Sequence, residues 1–184
     1  MNTRMDERMQ RWQLPATLPR RGPRAIATLQ MLAPLVPPRV WAAVLRTLWN
    51  GWVTERRWPQ GPMAGATCIF GCPREADSIE HYASCAGVAS FARRRLGLPR
   101  AGSPEQGLAD FLLLDRDAEQ WSSSELTIRA LRTASVYKVH NWWRHAGCRS
   151  LAMARDALYQ AVKDLVAGHS GAIRVLDSAD RPQM

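Results

Sequence analysis

Lysine is almost missing from this chain of 184 residues, which contains only Lys138 and Lys163. All the other basic side chains behind its net charge of +9 are arginines. Arginine forms bidentate contacts with phosphate and stacks on bases, so this bias favours a polyanionic partner. A genome rich in G and C would produce the same bias, and that explanation stays open.

Long apolar runs are also missing, since none approaches the ~20 residues that cross a bilayer. The first thirty residues carry several arginines and lack the apolar core of a secretory signal. We therefore expect an intracellular protein without membrane contact, in the nucleus rather than the cytoplasm, with reduced cysteines. The hydrophobic fraction of 46% argues against disorder throughout the chain.

The sequence also lacks the motifs of common active sites. It has no phosphate-binding Gly-rich loop, no G-x-S-x-G motif, and no acid two residues before either lysine. Asp115 and Asp117 are the nearest approach to a paired carboxylate site, and a polar loop before a helix is typical of capping and solvation. We therefore expect a protein that is not an enzyme.

What the chain does contain is helical periodicity between prolines and glycines, without a convincing alternating strand pattern. The pattern predicts helices over 37–58, 88–98, 105–114, 122–147 and 150–168, and a short one over 25–35. In the first of these, apolar residues including Trp41, Trp49 and Trp52 form a wide stripe that we expect in the core. Arg39, Arg46 and Arg57 would share the opposite face of that helix.

Residues 68–85, CIFGCPREADSIEHYASC, contain three of the four cysteines and one of the four histidines. These residues are Cys68, Cys72, His81 and Cys85, spaced C-x3-C-x8-H-x3-C. Zinc takes four tetrahedral nitrogen or sulfur ligands, usually supplied as two close pairs. With no position left for substrate, such a site would be structural. The alternatives are cysteines buried as small hydrophobic residues, and, least favoured, a disulfide.

Local signals support both ligand pairs. Gly71 allows a tight turn between the first two cysteines. Asp77, with Glu80 three residues later, is typical of a helix start, which would place His81 and Cys85 one turn apart on one helix. By contrast, His140, His145 and Cys148 have no ligand spacing, and we interpret them as packing or solvated residues.

The resulting fold class is mostly α, an irregular helical domain with a small Cys3His zinc knuckle between helices. We divide it into a basic Pro-rich arm (1–35), the Trp/Arg helix plus zinc knuckle (36–98), a helical region packing on it (99–168) and a flexible tail (169–184).

Three stretches, WNGWVTERRWP, CIFGCPREADSIEHYASC and FARRRLGL, together resemble the C-terminal region of non-LTR retrotransposon reverse transcriptases. The resemblance covers about residues 36–98. It implies a zinc knuckle, with the three cysteines and His81 as ligands, that helps bind the element's RNA or its target DNA. The family often has four residues between the histidine and the last cysteine, where this chain has three. No adjacent aspartates exist here, so the polymerase is missing and a remnant or separate reading frame is expected.

We therefore expect a zinc-stabilised, retroelement-derived domain that binds RNA or DNA largely through phosphates. The expected phosphate contacts are Arg39, Arg46, Arg56, Arg57, Arg93, Arg94 and Arg95. A run such as Arg93–Arg95 can equally be a solvated helix face. The alternatives are a helical protein-interaction module with a purely structural zinc, which would give a protein partner, and a retroelement remnant without function. The oligomeric state stays open.

Overall fold

A computed structural model describes residues 5, 7, 9, 10, 12, 14, 18, 21–55, 57, 60, 65–99, 102–146 and 151–179. These residues form eight α-helices and one 3-10 helix, and no β-strand occurs among them, so the fold is mostly α as predicted. The helices are α1 (Arg21–Leu32), α2 (Pro38–Leu48), α3 (Ile79–Ser84), α4 (Ala86–Leu96), α5 (Pro104–Phe111), α6 (Ser123–Ala146), α7 (Leu151–Val166) and α8 (Ser170–Ala179).

Helices α4 to α7 confirm the helices predicted over 88–168, and two of their ends have the expected chemistry. Gly97 ends α4 in the left-handed conformation, with φ 63°, which glycine adopts without steric cost. The hydroxyl of Ser103 accepts a hydrogen bond from the backbone N–H of Gln106 and so caps α5. Local sequence therefore determines the end of α4 and the start of α5.

Helix α2 is shorter than predicted, because it ends at Leu48 and not near Arg57. The backbone N–H of Gly51 donates to the carbonyl of Arg46, and that of Asn50 donates to Thr47. This pair of bonds is a Schellman motif, with Asn50 at φ 51°. The prediction that Arg57 shares a helix face with Arg39 and Arg46 is therefore wrong.

The segment 1–35 contributes to the core and is not simply an irregular arm. Met9 and Trp12 are buried, and the indole N–H of Trp12 donates to the carbonyl of Leu48 at 3.2 Å. Helix α1 begins at Arg21, four residues before the predicted short helix. This packing could not be predicted from the sequence, because the many prolines interrupt the helical periodicity of the apolar residues without preventing their burial.

The flexible tail predicted for 169–184 is wrong for Ser170–Ala179, which form α8. Ala172 and Leu176 are buried against α4, α6 and α7. Residues 180–184 of that prediction lie outside the described residues. Ten residues are too short to form a stable helix alone, so α8 depends on this tertiary packing.

The centre of the core is aromatic and lies where α6 meets α2, α3 and α5. Trp52 is buried, and its indole N–H donates to Thr47 Oγ1 at 3.0 Å. Its ring centroid lies 5.4 Å from that of Tyr137 and 5.2 Å from the His140 ring, both in α6. None of the described helices has the length and apolar character that crossing a bilayer demands.

Replacing the buried side chain of α8 tests whether this helix is docked. We expect Leu176→Ala to lower the free energy of unfolding by about 2–3 kcal/mol, because truncating a buried leucine leaves a cavity. Arg174→Ala, an exposed position on the same helix, should stay within about 0.5 kcal/mol of the parent. Urea unfolding followed by circular dichroism measures both, and equal midpoints for the two variants would mean that α8 is not docked.

Candidate metal centre

A short antiparallel turn carries the first two cysteines. Thr67 and Ala76 form an isolated bridge, and the backbone N–H of Cys68 donates to the carbonyl of Glu75 at 2.9 Å. Inside this turn Gly71 has φ 83°, and its N–H donates to the carbonyl of Cys68 at 3.1 Å. The tight turn predicted at Gly71 is therefore present, and it directs both thiols to one side.

The second ligand pair is held differently from the prediction. Ser78 caps α3, its hydroxyl accepting from the N–H of His81 at 3.0 Å, so the cap is not Asp77. Cys85 lies between α3 and α4, where its ψ of 126° breaks the helix. His81 and Cys85 are therefore not on one continuous helix, although they still meet.

The four donor atoms converge as a metal site requires. All of them lie within 4.8 Å of one another. The sulfur of Cys85 is 3.7 Å from that of Cys68 and 3.5 Å from that of Cys72. Metal–sulfur bonds of about 2.3 Å in a tetrahedron place ligands about 3.8 Å apart. Disulfide sulfurs are about 2.05 Å apart, so these free cysteines fit an ion and not a disulfide.

The thiols influence each other's ionisation. A hydrogen bond from Cys85 is the main cause that lowers the pKa of Cys68 to about 4. The same contact, together with burial, raises the pKa of the Cys85 thiol. One thiolate is thus stabilised while its neighbour stays protonated, because two buried anions repel each other. A divalent cation supplies the charge that allows all three thiols to ionise.

The imidazole of His81 is oriented by a carboxylate. Its Nδ1 lies 3.5 Å from Oε2 of Glu75, while its Nε2 is buried without a hydrogen-bond partner among the described residues. A neutral ring with its proton on Nδ1 leaves Nε2 as the metal ligand. Histidine ligands are commonly fixed in this way by a second carboxylate contact. The donor set therefore fits a metal ion.

A buried polar network lies directly behind this centre. Asp77 is inaccessible to solvent and receives a short hydrogen bond from the hydroxyl of Tyr82. His140 Nε2 lies 3.1 and 3.2 Å from its two carboxylate oxygens, and the backbone N–H of Glu55 donates at 3.3 Å. His140 is thus a packing residue, and His145 is exposed. Cys148 lies outside the described residues.

The arginines predicted to bind phosphate fall into two groups. Three donate to groups within the chain: Arg39 to the carbonyls of Leu165 and Ala167, Arg46 to the hydroxyl of Tyr137, and Arg57 to the carbonyls of Asn50 and Trp52. Arg56 lies outside the described residues. Arg93, Arg94 and Arg95 are exposed on α4, the helix that begins directly after Cys85.

Two contributors at or beside the centre had no usable sequence signal. His140 lies 63 residues from Asp77, so spacing alone could not pair them. Arg155 of α7 donates to the carbonyl of Phe70, between the first two cysteines, at 3.3 Å. An isolated arginine on a helix with mixed charges gives no indication of such a contact.

No family model, curated protein or solved structure matches this chain. The candidate centre is accordingly defined by its donor atoms and their surroundings.

The donor geometry predicts one tightly held metal ion per chain. Removing one thiolate, as in Cys85→Ser, should weaken binding more than the ~10–100-fold typical of outer contacts. Cys148→Ser is the matched control, because this cysteine lies outside the C-x3-C-x8-H-x3-C pattern. Elemental mass spectrometry and cobalt titration, read from the visible bands of a tetrahedral thiolate site, measure stoichiometry and affinity. A folded parent chain that takes up no metal would exclude the centre.

The network behind the centre predicts a large stability effect at His140. We expect His140→Ala to cost about 3 kcal/mol, because it leaves the buried Asp77 carboxylate without one of its partners. His145→Ala, on the same helix but exposed, should be close to neutral. Chemical denaturation of the metal-loaded protein measures both, and equal losses would show that the Asp77 contact contributes nothing specific.

Proposed function

We propose that this chain is a zinc-stabilised helical domain, derived from a retroelement, that binds RNA or DNA mainly through phosphates. It has no polymerase activity of its own and acts as a binding domain in the nucleus. The observation that carries the proposal is the exposed run Arg93–Arg95 on the helix that begins directly after Cys85, one of the four candidate metal ligands. An ion at the centre would fix the direction of this helix and therefore of its guanidinium groups.

Zinc is the ion we propose for the centre. Three thiolates and one imidazole are a soft donor set, and structural zinc commonly takes this combination in tetrahedral geometry. Calcium and magnesium prefer oxygen ligands, which this group of four does not supply. Four protein ligands leave no open position for substrate, so the role of the zinc is structural.

The nucleic-acid role draws support from charge and from resemblance. The net charge of +9 favours a polyanion, and guanidinium groups suit the geometry of phosphate oxygens. The likeness of residues 36–98 to the end of non-LTR reverse transcriptases points to the same class of partner. Arg39 supports the proposal less, because it is occupied with carbonyls at the end of α7.

A protein-interaction module is the second candidate, and one surface favours it. A groove of about 360 Å³ between α1 and α2 is lined mainly by apolar side chains, among them Ile26, Leu45 and the half-buried Trp41 and Trp49. Such a groove suits the apolar face of a partner helix. An apolar contact of this kind would be nearly independent of salt.

Binding measured across a salt series separates the two functions. We expect the zinc-loaded protein to bind a labelled 20-nucleotide oligonucleotide with log K falling linearly against log salt, at a slope of about −2 to −4 for three to five phosphates. Fluorescence anisotropy gives the constants, and single-stranded RNA, single-stranded DNA and duplex DNA are compared. Absence of binding at low salt would refute the nucleic-acid function and leave the protein-interaction module.

A further inference from the structure

A groove of about 770 Å³ lies between α4 and α7, beside the candidate metal centre. Phe91 and Leu158 give it a partly apolar floor, and Ala86 and Gly87 line it near Cys85. Its volume lies in the range of small-molecule sites, about 300–1,000 Å³. The groove is thus larger than a single inorganic anion needs.

Like charges converge on this groove from both walls. Arg94 and Arg95 come from α4 and Arg155 from α7, and all three are exposed. Among the described lining residues the one carboxylate is Asp156. Three guanidinium groups facing one carboxylate repel one another, and an anion between them would relieve that repulsion.

Aromatic contacts hold part of this charge in place. The guanidinium carbon of Arg95 lies 4.6 Å from the ring centroid of Tyr159, and Nζ of Lys163 lies 4.5 Å from the same centroid. Lys163 extends the basic row by two turns of α7 beyond Arg155. Side chains already ordered by such contacts lose less entropy when an anion binds.

The groove is joined to the metal centre through Phe70. Its carbonyl accepts from Arg155 at 3.3 Å, and its backbone N–H donates to the Cys68 sulfur at 3.4 Å. A Cβ placed on Gly87 would lie 2.9 Å from Cβ of Phe70, so α4 packs closely on the same residue. The position of Arg155 is therefore tied to the loop that carries the first two cysteine ligands.

We infer that the groove between α4 and α7 is the seat for consecutive phosphates of a nucleic-acid strand, with Arg94 and Arg155 contacting them from opposite sides. This assignment rests on the proposed function and adds to it the site and a contributor from α7. It also divides the run Arg93–Arg95, because Arg93 is not among the groove's lining residues.

The test compares charge-removing variants inside and outside the groove. Arg94→Gln and Arg155→Gln should each weaken binding of a labelled 20-nucleotide oligouridine about five- to tenfold and lower the salt slope by about 1. Lys138→Gln removes the same charge outside the groove and should stay within about twofold. Lys138 pairs with Asp164. Asp164 lies nine residues after Arg155 in α7, which places it on the opposite face of that helix.

A second pair of variants avoids disturbing the Arg155–Phe70 contact. Ser90 lines the groove and is half-buried. Ser90→Glu places a carboxylate among the arginines and should weaken binding at least as much as Arg94→Gln, whereas Ser90→Gln, of similar size, should weaken it less. Metal content and unfolding midpoints show whether each variant remains folded.

The outcomes are distinguishable. A parent protein that fails to bind the oligonucleotide overturns the proposed function and this assignment with it. A parent that binds with a salt slope, but whose Lys138 variant loses as much affinity as the groove variants, overturns the groove alone. Displacement of the oligonucleotide by polyglutamate at equal charge concentration, as readily as by unlabelled oligouridine, would assign the groove to acidic polypeptides instead.

Discussion

The buried carboxylate of Asp77 is the constraint on which the rest of the structure depends. A carboxylate removed from water is tolerated only when its oxygens are hydrogen-bonded. Its partners come from three places: the backbone of Glu55 after α2, the hydroxyl of Tyr82 in α3, and His140 in α6. Satisfying this one group therefore fixes the cysteine-bearing turn against the helices that build the core.

The position of the candidate metal centre depends on Asp77. Asp77 precedes Ser78, the cap of α3, so holding the carboxylate also sets where α3 starts and where His81 lies. A six-residue helix and a single bridge cannot stand alone, because neither forms enough hydrogen bonds to offset the ordering of its backbone. An ion bound by Cys68, Cys72, His81 and Cys85 would join that bridge to the start of α4. Folding of this region and metal binding would thereby be coupled.

The sequence predicts those parts of the molecule that depend on short-range chemistry. Four helices and all four donor residues follow from periodicity and from spacing within eighteen residues, and the structure brings the donors together. Contacts between residues that lie far apart in the sequence are not indicated by any local pattern. The contact of Asp77 with His140 spans 63 residues, and that of Arg39 with Leu165 spans 126. Helix α8 is not predicted because a segment of ten residues is helical only when a buried side chain such as Leu176 docks.

The number of arginines in the sequence also overstates how many of them can contact a polyanion. Arg129 and Arg132 are both buried and both pair with Asp110, so their charge stabilises the join between α5 and α6. Arg39 offsets the dipole at the end of α7 by donating to its last carbonyls. A guanidinium already bound to a carbonyl or carboxylate must break that contact to reach phosphate, which weakens any binding it contributes. In the groove between α4 and α7, Arg155 likewise donates to a carbonyl, that of Phe70, at 3.3 Å. An anion bound there would compete with this contact, but it would also relieve the repulsion among the guanidinium groups that line the groove.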